Sequence, residues 1–390
     1  MLNVFLQQGK DKPVRMGHPW VFSGAVRRVE GEAAPGALCE VIDAGGERLG
    51  CGYFNSNSTI RVRMLTRGKE RFGPEVLSER ITDAVALRRN ILANGTDSCR
   101  LVNSEGDRLP GLIIDKYADG LCVQIQTAGM ERFRPHILET LKRCCGPLFI
   151  YERSDADARG REGLPASSGL LFGYMPGRCV AMENGLRFRA DLSAGQKTGL
   201  YFDQRENRKL FSAYAQGRTI CDCFCYSGGF SVYGLKSGAA FSLLVDISKD
   251  VLTVAEENCV LNGIEPGRYS VVAGDCFDYL RRKTDRQFDC IVLDPPKFAK
   301  HKGEVDRAAR GYKDINLLAM KNILHNGIIF TFSCSNAVDP YLFRQIVFAA
   351  AADSLRQVQV LHVLGAGPDH PFNIAHREGE YLKGLVLRVD

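Results

Sequence analysis

Seven short apolar runs succeed one another through the second half of the chain, at residues 219–224, 241–246, 269–273, 288–294, 328–333, 358–364 and 385–389, with helical patterns between most of them. Continuous apolar runs of this length suit strands buried on both faces. Regular alternation of strand and helix confines a chain to a sheet with helices packed against it. The pattern therefore predicts an α/β fold, a Rossmann-like, doubly wound sheet of seven strands filling residues 191–390. In such sheets ligands bind beyond the carboxyl ends of the strands, so the residues just after each run form the candidate site.

The first part of the chain reads differently. Residues 1–72 are short apolar runs between Gly, Pro and Asn turns, such as 39–43, 48–54 and 59–63, which predicts a small β-barrel domain. Within it His18-Pro19-Trp20-Val21-Phe22 carries the single tryptophan, which either stacks on a base or anchors the barrel from beneath a lid. Residues 73–190 predict a compact α+β domain. A linking helix spans 74–94, strands fall at 100–102, 112–115, 121–125 and 148–151, and a second helix covers 132–142. The polar stretch 154–177 reads as an exposed loop or insertion, and Asn184-Gly185 as the turn of a hairpin leading into the last domain.

Composition narrows the function classes. The net charge of +6 and pI near 8.6 are compatible with a polyanionic partner without requiring one. No apolar stretch approaches the roughly 18 residues that span a bilayer, and the amino terminus has neither a basic segment nor a long apolar one, so no membrane contact and a cytoplasmic location are expected. The 14 cysteines lack the spacing of a disulfide framework and read as reduced, buried thiols. Neither Cys144-Cys145 nor the trio Cys221, Cys223 and Cys225 has the two-residue gap or histidine partner of a zinc site, and no metal is expected. Alternation along a strand would put the trio on one core face.

The chemistry-bearing residues follow the strands. The first strand runs into Cys225-Tyr226-Ser227-Gly228-Gly229-Phe230, a glycine turn where a ligand can approach the backbone, and Asp246 ends the next strand, where a carboxylate can accept both ribose hydroxyls. The Gly-x-Gly-x-x-Gly spacing of pyrophosphate sites is absent. An adenosine-containing cofactor without phosphates fits better, and S-adenosylmethionine is the commonest. Asp275 is either an N-cap for a helix over 277–282 or an acceptor for the adenine amine; its place after the third strand favours the second.

Asp294-Pro295-Pro296-Lys297 follows the fourth strand. Its prolines fix the backbone and present the Asp294 carboxylate to a planar amine or ring nitrogen. An aromatic residue is usual at the Lys297 position in methyltransferases acting on adenine N6, which disfavours that target. Cys334, in Phe332-Ser333-Cys334-Ser335, ends the next strand about forty residues on. A buried strand-end thiol is the plain reading of such a residue. Placed beside Asp294 it is better read as a nucleophile: thiolate addition at carbon 6 of a pyrimidine makes carbon 5 nucleophilic, and a base must later remove the carbon 5 proton.

These motifs, with Gly195-Gln196-Lys197-Thr198-Gly199-Leu200-Tyr201-Phe202-Asp203-Gln204-Arg205 and Arg310-Gly311-Tyr312-Lys313-Asp314-Ile315-Asn316, resemble the ribosomal RNA large subunit methyltransferase I family. The resemblance covers the full length: residues 18–25 resemble its amino-terminal PUA domain and 109–112 its central domain. It implies S-adenosylmethionine-dependent formation of 5-methylcytosine in large-subunit (23S) ribosomal RNA. By the same resemblance the cofactor would be held by Gln204, Arg205, Asp222, Tyr226, Ser227, Gly228, Asp246, Ile247, Asp275 and Asp294. Asp294 would also hold the cytosine edge, and Cys334 would attack the base. Lys197, Gln204 and Arg205 would lie over the cofactor or target, and residues 300–312 would form an RNA-contacting loop or lid.

One departure matters. Many cytosine-5 RNA methyltransferases carry a second cysteine after the two prolines, where this chain has Lys297, and uracil-5 enzymes manage with one cysteine. Cytosine therefore rests on the resemblance. The alternatives are a uracil-5 or guanine-nitrogen RNA methyltransferase, or a non-catalytic ribosome-assembly factor that binds RNA. The expected partner is large-subunit ribosomal RNA, and a homodimer is left open.

Overall fold

A computed structural model describes residues 2–93, 95–154, 156–192, 200–282, 287–299 and 302–390. The chain forms two compact units. The first holds Met1–Ala181, Ala190–Gly199 and Pro368–Gly379; the second holds Met182–Arg189, Leu200–Gly367 and Glu380–Asp390.

In the first unit, β1 (Leu2–Leu6), α1 (Lys12–Arg15), β2 (Trp20–Phe22), β3 (Val26–Glu30), β4 (Ala37–Ile42), β5 (Arg48–Phe54) and β6 (Ile60–Met64) build a six-stranded sheet of order β2-β6-β5-β4-β1-β3. There follow α2 (Pro74–Leu87), β7 (Cys99–Asn103), β8 (Leu112–Tyr117), β9 (Gly120–Ile125), α3 (Ala128–Arg132), α4 (Arg134–Cys145), β10 (Phe149–Ser154), α5 (Ala156–Arg161) and β11 (Ser167–Gly173). These strands form a second sheet, β11-β10-β9-β8-β7. Tyr53 and Leu65 share a core with Leu101, Leu112 and Ile114, and the buried Tyr53 hydroxyl donates to the Pro110 carbonyl at 2.6 Å.

Two expectations change here, and one open alternative is decided. The linking helix stops at Leu87 instead of running to residue 94, and it is part of the core, burying Leu77 and Ile81. Arg88 turns back to donate to the Ala84 carbonyl at 3.2 Å and pairs with Asp107 at 2.7 Å, which satisfies the helix end. Part of the stretch read as loop, 154–177, is ordered as α5 and β11. Strand β11 pairs antiparallel with β10, and the buried Arg159 donates to the Ile125 carbonyl at 2.7 Å and to Glu131 at 2.8 Å. Polar residues that read as solvated are neutralised internally. Trp20 is an anchor: its indole N–H donates to Glu105 at 2.8 Å and its ring meets that of His376, 4.4 Å away between centroids.

The hairpin is as expected, β12 (Cys179–Glu183) and β13 (Leu186–Ala190), with Asn184 and Gly185 at φ of 51° and 80° as a tight turn of the primed type requires. In the second unit come α6 (Arg205–Ser212), β14 (Thr219–Cys223), α7 (Gly229–Lys236), β15 (Phe241–Asp246), α8 (Lys249–Leu261), β16 (Tyr269–Ala273), α9 (Cys276–Arg281), β17 (Phe288–Leu293), α10 (Val305–Asn322), β18 (Ile323–Ser333), α11 (Pro340–Ser354), β19 (Val358–Leu364) and β20 (Lys383–Val389). The seven strands form one sheet, β16-β15-β14-β17-β18-β20-β19. The strands from β14 to β18 pair in parallel, while β20 inserts antiparallel between β18 and β19.

Of the expected loop over 300–312, residues 300 and 301 lie outside the described residues and 305–312 are helix. Ala308, Tyr312 and Ile315 recur at helical spacing and are buried, so α10 forms on that apolar stripe. The cysteine trio also divides. Cys221 and Cys223 share one core face, but Cys225 lies past the strand end and packs with Leu244, Leu252 and Ala255. None of the 14 cysteines forms a disulfide. Among the described residues no helix is long and apolar enough to cross a membrane.

Candidate active site

Strands β14, β15, β17 and β18 end side by side, and the candidate residues sit on the loops that follow. After β14 the backbone turns through Phe224, Tyr226 and Gly228, at φ of 59°, 49° and 73°. Backbone in the left-handed region costs non-glycine residues energy and must be held by its surroundings. The Phe224 amide donates to Cys276 Sγ at 3.2 Å, the Cys225 amide to the Val245 carbonyl at 3.2 Å, and the Tyr226 amide to Asp246 Oδ2 at 3.1 Å. Asn258 donates to the Ser227 carbonyl at 2.9 Å. At Gly228 a Cβ would come within 2.9 Å of Leu244 and 3.0 Å of Ala255. The missing side chain thus allows close packing on β15 and α8.

Asp246 is half-buried and oriented by two backbone amides, Tyr226 on Oδ2 and Ser248 on Oδ1 at 3.0 Å. A carboxylate has about four lone-pair sites, so acceptor capacity remains for a diol. Ile247 beside it is 76% exposed. Asp275 is exposed and does cap α9, accepting from the Asp278 amide at 3.1 Å. Asp222 is buried beneath the turn, where its Oδ2 accepts from the Ser231 amide at 3.1 Å and hydroxyl at 2.7 Å. Burial pushes its carboxyl up to about 7. It braces the start of α7.

Asp294 stands half-buried at the end of β17, and Gln204 Nε2 donates to its Oδ2 at 3.0 Å. Gln204 is held in turn by Asn207, whose Nδ2 donates to Gln204 Oε1 at 2.7 Å and to the Gly365 carbonyl at 3.0 Å. Burial and then the nearby Asp203 push the Asp294 carboxyl up to about 7, against the pull of Gln204. Asp203 accepts from the Tyr381 hydroxyl at 2.6 Å. Arg205 is buried at the start of α6, with Nε on Glu206 at 3.2 Å. Lys197 lies outside the described residues.

Cys334 follows β18 directly and is half-buried, its Sγ 3.9 Å from the Pro295 carbonyl. Ser335 ties the two loops together, accepting from the Ala299 amide at 3.3 Å and meeting the Tyr312 hydroxyl at 2.9 Å. The thiol of one loop is thereby set against the Pro-Pro turn of the other.

Two features of this unit escaped the sequence reading. Lys383, buried at the start of β20, donates to the carbonyls of Ser335 at 2.8 Å and Tyr381 at 2.7 Å. A lysine directly before the apolar run 384–387 is the signal that marks it. The second is a buried ion pair, Arg208 on Glu183 at 2.9 and 2.7 Å, joined by the Tyr233 hydroxyl at 2.9 Å. Its partners are 25 and 50 residues apart, and no local pattern links them.

The residues around β14 to β16 suit a neutral nucleoside. A carboxylate with spare acceptor sites ends β15, an exposed apolar side chain adjoins it, another carboxylate follows β16, and the glycine turn has no Lys or Arg to receive a pyrophosphate.

Comparison with known proteins agrees. A PUA-like domain model matches residues 4–67, and an S-adenosylmethionine-dependent methyltransferase model matches residues 170–375. A relative from Aeromonas hydrophila named ribosomal RNA large subunit methyltransferase I is 40% identical over 393 residues, covering 99% of each chain. One of the same name from Shewanella amazonensis is 40% identical over 393 residues, covering 100% of this chain and 99% of its own. Among solved structures, a candidate SAM-dependent methyltransferase from Streptococcus mutans superposes with a TM-score of 0.86 at 21% identity. SMU.776, a candidate methyltransferase complexed with SAH, gives 0.88 at 20%. Each covers 100% of both chains, and at that identity the likeness establishes the fold. With nearly its whole length matched at 40% identity, the chain belongs to the ribosomal RNA large subunit methyltransferase I family of S-adenosylmethionine-dependent methyltransferases.

Proposed function

We propose that this chain forms 5-methylcytosine in large-subunit ribosomal RNA, with Cys334 as nucleophile and Asp294 on the edge of the base. The observation that carries the reading is the approach of Cys334 Sγ to within 3.9 Å of the Pro295 carbonyl, next to Asp294, whose carboxyl burial pushes up to about 7. The relatives' shared name supports ribosomal RNA as substrate, and the PUA-like match supports residues 1–72 as an RNA-binding domain. Residues 73–190 would form the central domain and 191–390 the catalytic one.

Asp246, Ile247 and Asp275 would hold the cofactor, with the backbone of Tyr226 to Gly228 beneath it; Gln204, Arg205 and Asp222 would shape the site from behind. Bound S-adenosylmethionine supplies an electrophilic methyl group. The thiolate of Cys334 adds to carbon 6, and the electron pair of the carbon 5–carbon 6 double bond is pushed toward the ring and N3. Asp294, with its proton held to about pH 7, can donate to N3 as that charge develops and so favour attack from carbon 5. Methyl transfer to carbon 5 would leave the cofactor as the neutral thioether S-adenosylhomocysteine; a base then takes the carbon 5 proton, the N3 proton returns to Asp294, the carbon 5–carbon 6 double bond re-forms and the sulfur leaves as thiolate. Lys297, exposed where a second cysteine would stand, keeps a uracil-5 target as the second reading.

The test is transfer of labelled methyl from S-adenosylmethionine to unmodified large-subunit ribosomal RNA, with nucleoside analysis of the product. Labelled 5-methylcytosine that disappears in Cys334→Ala supports the proposal. Label on another nucleoside, or activity retained in Cys334→Ala, overturns it.

A further inference from the structure

We propose that Lys383 is a positioning residue for Cys334, its buried ammonium holding the neighbouring thiol as the thiolate that attacks the base. The inference rests on the nucleophile reading above and adds to it the group that makes the thiol reactive.

The placement is dictated by the sheet. Lys383 opens β20 directly opposite Ser333 on β18, so its side chain starts beside the residue that precedes Cys334. Its Nζ ends on the carbonyl of Ser335, the residue that follows Cys334, at 2.8 Å, and on the Tyr381 carbonyl at 2.7 Å. The backbone of Lys383 thus pairs beside the residue before Cys334, and its ammonium binds the carbonyl of the residue after it. An ammonium has three donors, and two carbonyls use two of them. Among the described residues no carboxylate forms an ion pair with it.

The charges around the pair favour this assignment. Burial lowers the Lys383 ammonium to about 8, and Cys334 is the largest influence holding it up. Lys297 opposes that hold, while Glu380 and Asp339 assist it more weakly. Tyr201 and Tyr312 also feel the charge of Cys334. Lys297 is exposed, so solvent screens it; Lys383 is buried and is screened far less. A partly exposed thiol near a lysine is the setting in which cysteine becomes a nucleophile. In this role Lys383 stays protonated, and Cys334 enters and leaves the cycle as thiolate.

The experiment is the pH dependence of Cys334 alkylation by iodoacetamide, followed by peptide mass spectrometry on the full chain without RNA or cofactor. Lys383→Met should shift the Cys334 profile alkaline by about one pH unit or more relative to wild type, the usual effect of removing an adjacent opposite charge, and cut the rate at pH 7 roughly tenfold. Lys383→Arg should restore most of the wild-type profile. Protection of the buried Cys221, Cys223 and Cys290 reports that each variant is folded. Coincident profiles for wild type and folded Lys383→Met overturn the proposal.

Should Lys383→Met unfold, the reciprocal measurement decides. NMR titration of the Lys383 side-chain nitrogen should show a lower midpoint in Cys334→Ser than in wild type, and an unchanged midpoint overturns the pairing. Because neither measurement uses RNA or S-adenosylmethionine, an alkaline shift combined with methyl transfer surviving in Cys334→Ala would uphold the Lys383–Cys334 pair and reject the nucleophile reading alone.

Discussion

Gln204 donates its side-chain N–H to Asp294 across 3.0 Å, and the two residues are 90 positions apart. The amide reaches from the turn before α6 to the carboxyl end of β17, where it selects one orientation of the carboxyl and stabilises its charged form. Gln204→Leu should cost roughly tenfold in kcat/KM, the equivalent of one neutral hydrogen bond, and move the Asp294 titration above about 7. The kcat/KM profile between pH 5 and 9 reads both effects.

Asp294→Asn separates activity from stability. The native carboxyl titrates near 7, above its unfolded value of 3.8, so the folded state binds the extra proton between those pH values. Stability of the wild type therefore falls as pH rises through that window, and the charged, partly buried group is a burden above it. The asparagine variant should lose methyl transfer yet raise Tm by about 2 °C or more at pH 8. The gain should shrink toward zero as pH approaches 4, which thermal melts across the range would show.

The Arg208–Glu183 pair is buried on both sides. Arg208→Met leaves the Glu183 carboxylate without its cation and should destabilise by about 3–5 kcal/mol in urea unfolding. Replacing both residues, Arg208→Met with Glu183→Leu, should recover a large part of that loss, because the uncompensated charge is removed.

Trp20 hydrogen-bonds Glu105 and packs on His376. Its fluorescence should change little when ribosomal RNA is added, whereas a tryptophan stacked on a base would be strongly quenched. Trp20→Phe should cost about 1 kcal/mol in stability through the indole hydrogen bond lost, since Arg63 still donates to the same Glu105 oxygen at 3.0 Å, with RNA affinity nearly unchanged.

Local patterns in the sequence were enough for the seven strands of the last domain, the hairpin at Asn184-Gly185, and the places of Asp246, Asp275, Asp294 and Cys334 after their strands. Apolar runs and turn residues act within a few positions, and a strand's end fixes where the next residue stands. Tertiary structure decided what those residues face. Asp222 is directed at α7, Gly228 is packed on β15 and α8, Gln204 meets Asp294, and Lys383 flanks Cys334 from a strand that inserts antiparallel. The same holds for α5, β11 and α10, whose charged residues read as solvated. Buried charges are stable only when partners meet them, and here Arg159 finds Ile125 and Glu131 from 34 and 28 positions away. Which distant partner supplies a hydrogen bond is a property of the assembled sheet, and no local window of sequence contains it.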